Sequence, residues 1–212
     1  MSALPSQSRY IIGTEACERF SFYGMKSILM LYMTGHLLMS DNWSTSTLHI
    51  FVAMVYLLPL AGAWLADKVW GRYKTILYIS LLYCVGHGVL ATADLSHTIE
   101  ARRYILMAGL FIIALGAGGI KPCVSAFMGD QIPNKSPQLM TKAFNAFYWA
   151  INLGSFFSFL VIPAMEQRYG YSWAFAVPGL FMGVATFVFW LGRKNYHKTP
   201  PARNSGQPGF WK

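Results

Sequence analysis

The sequence predicts an all-α, polytopic membrane bundle of six transmembrane helices. Three observations carry that expectation. The 212 residues are 55% hydrophobic and 16% aromatic with only 12% charged, more apolar surface than a soluble domain of this size hides in a core. Apolar runs at 10–39, 48–66, 76–93, 104–128, 143–165 and 173–191 each approach or exceed the roughly 18 residues that a crossing needs. The segments between them, 40–47, 67–75, 94–103, 129–142 and 166–172, are short and leave no room for a soluble domain.

The first run is longer than a bilayer demands, so its helix tilts, bends or projects beyond the membrane. It also carries Glu15, Glu18, Arg19 and Lys26. At 100° per residue, these four with Phe22 and Tyr23 fall within an arc of about 140°. An ionisable side chain at the bilayer centre costs about 3 kcal/mol on insertion scales, so such a stripe points inward to a water-filled path and marks ion or substrate handling. A structural ion-pair clamp between helices is the alternative. Arg19 and Lys26 stand two turns apart, about 10 Å along the axis, and present two cations suited to a carboxylate. In the fourth run, Gly116-Ala117-Gly118-Gly119 precedes Lys121-Pro122. Small residues permit close helix approach, and the proline opens the backbone ladder and bends the helix. From Arg193 the composition turns to Pro, Gly, Lys, Arg and Asn, dividing the chain into a bundle at 1–192 and a flexible cytosolic tail or linker at 193–212.

The net charge of +9 is explained by position and not by nucleic-acid binding. With the amino terminus in the cytoplasm, Arg9, Lys68, Arg72, Lys74, Lys135, Lys142 and the basic residues from Arg193 onward lie inside. Only Arg102, Arg103 and Arg168 then lie outside, a bias that places both termini in the cytoplasm of a multi-pass protein. No cleavable signal peptide is expected, because charges interrupt the first apolar segment. Cys17, Cys84 and Cys123 lack metal spacing and read as packing residues without a disulfide. No metal or other cofactor is expected.

Three patches resemble the proton-coupled oligopeptide transporters of the major facilitator superfamily. Glu15-x-x-Glu18-Arg19-Phe20-Ser21-Phe22-Tyr23-Gly24 is similar to that family's first-helix signature. Gly62-Ala63-Trp64-Leu65-Ala66-Asp67-Lys68-Val69-Trp70-Gly71-Arg72-Tyr73-Lys74-Thr75-Ile76 resembles its cytoplasmic loop motif. Phe144-x-x-Phe147-Tyr148-Trp149-x-Ile151-Asn152-Leu153-Gly154 resembles its fifth-helix signature. The resemblance implies the amino-terminal six-helix half of such a transporter, built as a 3+3 inverted repeat. It implies symport of di- and tripeptides with protons into the cytoplasm across the plasma or inner membrane. The implied partners are the lipid bilayer and a missing carboxyl-terminal bundle or second copy.

The same resemblance assigns roles. Lys121 stands as the partner of Glu15 or Glu18 in a proton-sensitive salt bridge, which releases the lysine when the glutamate is protonated. His49, near the outer end of the second helix, resembles a histidine that senses protons; a lone histidine there is otherwise a wet interfacial residue. Tyr23 and Tyr56 match tyrosines that line the peptide pocket. Phe22 replaces a second tyrosine, and Lys26 stands where some members carry arginine, giving up a bidentate grip. Asn152 is placed to fix a substrate amide, and Trp149 to line the pocket or pack. Asp67 and Arg72 tune opening and do not touch substrate.

Two other classes fit six helices with buried polar groups. An intramembrane serine protease needs a Gly-x-Ser-Gly turn, which the sequence lacks, so no enzymatic activity is expected. A small channel or scaffold that dimerises through glycine-rich helices is the remaining alternative.

Overall fold

The computed structural model describes residues 3–201, and among them every regular element is helical. Five rods are long and apolar enough to cross a membrane: Asp41–Trp70, Arg72–Leu95, Ile99–Asp130, Pro137–Tyr169 and Tyr171–Lys194. Ahead of them runs α1 (Ser8–Leu31), extended by a π turn at Tyr32–His36. The second rod contains α2 (Asp41–Leu57) and α3 (Pro59–Leu65). The others are α4 (Arg72–Thr92), α5 (Ile99–Asp130), α6 (Pro137–Tyr169) and α7 (Tyr171–Leu191).

Several helices begin before their apolar runs because polar caps start them. Ser40 Oγ accepts from Trp43 N at the head of α2, and Thr98 Oγ1 accepts from Ala101 N at the head of α5. Each satisfies an end amide that has no intrahelical partner. Pro137, at the first turn of α6, loses no hydrogen bond there. Hydropathy marks the buried middle of a helix, and capping chemistry marks its ends. α5 runs on through Pro122.

The neighbour pattern has an internal symmetry. α1 packs on α6 and α7, α5 packs on α2–α3 and α4, and α4 packs on α7. Exchanging the first three spans for the second three carries the first pair of contacts onto the second and leaves α4–α7 in place. Three crossings per unit turn the second unit upside down, so the two are inverted repeats. Close approaches repeat in the same way. A Cβ on Gly62 would meet the Gly119 backbone, and one on Gly154 would meet the Ala16 carbonyl. Gly71 (φ 77°) and Gly170 (φ 82°) each stand immediately before the third helix of their unit, in a conformation that side chains disfavour.

At the end opposite the termini, His36 Nε2 and Arg102 Nη1 meet Asp94 Oδ1 at 2.5 and 3.1 Å, and Arg103 donates to the Leu37 and Leu38 carbonyls. The end that carries both termini is closed differently. Residues 195–201 fold back across it: Tyr196 is buried against Tyr73, Phe127 and Phe189, and His197 pairs through its backbone with Gln131. The chain therefore does not leave the bundle at Arg193. The remaining tail, from residue 202, lies outside the described residues.

Candidate functional site

Three of the charges of α1, Glu15, Glu18 and Arg19, form one compact cluster. Arg19 Nε lies 3.0 Å from Glu15 Oε1 and 2.5 Å from Glu18 Oε2. Glu15, Glu18 and Arg19 are 5%, 1% and 7% exposed, enclosed by protein and not spread along an open wall. The contact to Glu18 is an ion pair without hydrogen-bond alignment, and both Glu18 oxygens lack a hydrogen-bond partner. Two carboxylates against one guanidinium leave a formal deficit of one positive charge.

Lys121 is the nearest remedy. It sits half-buried on α5 within electrostatic reach of Glu15, Glu18, Arg19 and Lys26. Its Nζ lies over the Phe22 ring at 4.6 Å and the Tyr56 ring at 5.3 Å. The expected Lys121–glutamate salt bridge is thus not formed. Arg19, one residue from Glu18 and one turn from Glu15, reaches both carboxylates first, and the lysine rests on aromatic faces instead. Phe22, which stands where the family resemblance has a second tyrosine, supplies one of those faces.

The other expected residues fall into three places. Tyr23 and Lys26 are half-buried on α1, with the Tyr23 ring against Phe22 and Phe159. Tyr56, Trp149 and Asn152 stand exposed on α2 and α6. Trp149 and Asn152, with Asn145 and Tyr148, line an open depression of about 360 Å³, and Asn152 Nδ2 donates to the Tyr148 carbonyl. His49 is exposed on α2 and is not brought to the acidic cluster. Asp67 and Arg72 do meet. Arg72 Nη1 grips both oxygens of Asp130 at 2.7 and 2.6 Å, with Asp67 Oδ1 at 3.9 Å from Nη2.

Sequence reasoning missed the polar interior of α4. Ser80, Tyr83 and His87 are 1%, 0% and 0% exposed. His87 Nε2 bonds Ser21 Oγ on α1 at 2.9 Å, and the His87 ring stacks on Tyr83. Tyr83 in turn lies within electrostatic reach of Glu18 and Arg19. A signal was present: polar side chains at i, i+3 and i+7 of an apolar helix share one face. Asp130 was also missed; its side chain needs the fold to bring it to Arg72. Among the described residues no group of His, Cys, Asp and Glu is arranged to hold a metal ion.

With this geometry in hand, the comparisons with known proteins become specific. A family model, PTR2, described as the POT family, matches residues 73–209. The chain belongs to the POT family. Among its relatives, solute carrier family 15 member 2 of Homo sapiens is 42% identical, covering 96% of this chain and 29% of that protein. Peptide transporter family 1 of Drosophila melanogaster is also 42% identical, covering 94% and 28%. The crystal structure of the POT family transporter PepTSo superposes with a TM-score of 0.86 at 47% identity, covering 94% of this chain and 40% of that one. This chain therefore spans under a third of the length of those two relatives. The all-helical bundle is that of the POT transporters, a family of multi-pass membrane proteins.

Proposed function

We propose that this chain is the amino-terminal bundle of a proton-coupled symporter that moves di- and tripeptides into the cytoplasm. The observation that carries this reading is the buried Glu15–Arg19–Glu18 cluster beside Lys121, within a POT family fold. Because Arg19 is shared, neutralising Glu18 leaves a balanced Glu15–Arg19 pair. Protonation of Glu18 then shifts positive charge toward Lys121 and Lys26, which bind the peptide carboxylate with Arg19. Tyr23, Tyr56, Trp149 and Asn152 supply ring faces and an amide to the peptide, and His49 passes protons at the outer end.

The basic loops place both termini in the cytoplasm of a cell that carries this protein in its plasma or inner membrane. In that orientation Asp67, Arg72 and Asp130 form a cytosolic gate. The exposed faces of α2 and α6, with Tyr56 and Trp149, meet a second bundle that holds the peptide amino group. The protein is a transporter and not an enzyme. The scaffold alternative loses its surface, because Gly116, Gly118 and Gly119 are buried against Tyr83, Leu58 and Ile79 of this chain.

The test is flux in a full-length context reconstituted into proteoliposomes. An inward proton gradient should drive dipeptide accumulation that saturates with dipeptide concentration. Flux that rises linearly without saturation would fit a channel, and absence of peptide flux would remove the reading.

A further inference from the structure

The segment after α7 is built into the bundle at one place, beside the Arg72–Asp130 ion pair. Gln131, 2% exposed and next in sequence to Asp130, brackets that segment with both ends of its amide: Oε1 accepts from His197 N at 2.8 Å and Nε2 donates to His197 O at 3.0 Å, while Nε2 also donates to Phe127 O of its own helix at 3.2 Å. Tyr196, 7% exposed, is surrounded by the rings of Tyr73, Phe127 and Phe189 at centroid distances of 5.1 to 6.1 Å. Tyr73 follows Arg72 in sequence, and Lys198 Nζ lies 4.3 Å from its ring centroid. On the other flank, the Thr199 carbonyl passes 3.2 Å from where a Cβ on Gly71 would sit, with Pro201 beside it. The segment thus contacts the residues on either side of Arg72 and the residue after Asp130.

We infer that residues 195–201 act as a strap that positions the Arg72–Asp130 ion pair, with Gln131 and Tyr196 as its positioning residues. The inference rests on the gating role proposed for Arg72. The pair joins α4 to α5 across the end of the bundle, and partly exposed ion pairs are weak when their side chains are free to wander. The strap removes that freedom by holding the backbone on both sides. A buried amide side chain bonded twice to backbone costs stability when truncated, since the backbone groups lose their partner. Burial raises the Tyr196 phenol above its ordinary range, so the ring stays neutral in its aromatic nest. Its hydroxyl has no hydrogen-bond partner, so the ring and not the oxygen does the anchoring.

Cys123 provides a reporter. It is 2% exposed, donates to the Gly62 carbonyl and lies two turns into α5 from Asp130. In the 212-residue chain carrying Cys17→Ala and Cys84→Ala, a membrane-permeant maleimide should label Cys123 slowly. Gln131→Ala, which removes hydrogen bonds, and Tyr196→Ala, which empties the aromatic nest, should each raise that rate about fivefold or more, as expected when such a contact is lost from a local opening equilibrium. Tyr196→Phe should leave it unchanged. A cysteine placed instead at Ala93, fully buried at the opposite end, should stay protected in all three variants. Combining Gln131→Ala with Arg72→Ala should give no more labelling of Cys123 than Arg72→Ala alone. Unchanged labelling in both alanine variants, equal deprotection of the two ends, or full additivity with Arg72→Ala would each overturn the strap. If Arg72→Ala itself fails to deprotect Cys123, the gating reading fails, and the strap falls with it.

Discussion

Arg19 holds two carboxylates at once, and that sharing sets what each neighbour can do. Glu18 is the more deeply buried of the two, 1% exposed against 5%; both of its oxygens lack hydrogen bonds, and its guanidinium partner is shared with Glu15. Neutralising Glu18 therefore leaves one carboxylate with one guanidinium, a balanced pair, and the helix keeps its packing. In a full-length context, Glu18→Gln should abolish proton-driven peptide accumulation while sparing peptide counterflow, which needs binding and reorientation without net proton movement. Parallel uptake and exchange assays check this. Loss of both activities would favour a structural clamp, and unchanged driven uptake would take Glu18 out of the mechanism.

At the scale of elements, helix contact in a membrane depends on small residues that let backbones approach. Gly62 and Gly154 sit at symmetry-related contacts, α3 with α5 and α6 with α1, and neither has space for a methyl group. Gly183 on α7 has nothing within 4 Å of the corresponding point. Overpacking against backbone that cannot move costs about 1–3 kcal/mol or more. Gly62→Ala and Gly154→Ala should each lower the thermal unfolding midpoint in detergent, and Gly183→Ala should leave it within error. Equal effects at all three would mean that helix propensity, not close approach, governs these positions. The glycine run in α5 reads as a packing motif in the sequence, but which helix each glycine meets is set by the fold.

For the whole molecule, alternating access in such folds rocks one bundle against another around a site near the bilayer midplane. On the proposed reading, Arg19, Lys26 and Lys121 receive the peptide carboxylate, and the opposite wall belongs to a second bundle. Reconstituted alone, it should insert with Cys at Asn42 and Cys at Lys74 labelled from opposite sides of the membrane. It should bind dipeptide no tighter than millimolar, about −4 kcal/mol, and show no gradient-driven uptake in proteoliposomes. Robust uptake by the chain alone would require a homodimer that closes the pathway with two identical walls.

The sequence by itself determined the helical class, the rods and the charged face of α1, because these depend on local composition and on helical periodicity. Glu15, Glu18 and Arg19 share a turn, so their clustering follows from spacing alone. Contacts between distant residues were decided only by tertiary structure. Ser21 meets His87 across 66 positions, and Arg72 meets Asp130 across 58; no periodicity records which helices face one another. The same limit explains Lys121, whose expected glutamate is already held by Arg19 of the same helix. It also explains Tyr196, which sits in polar, proline-rich text that reads as linker. Its aromatic nest is assembled from α4, α5 and α7, and only their packing brings those three rings together.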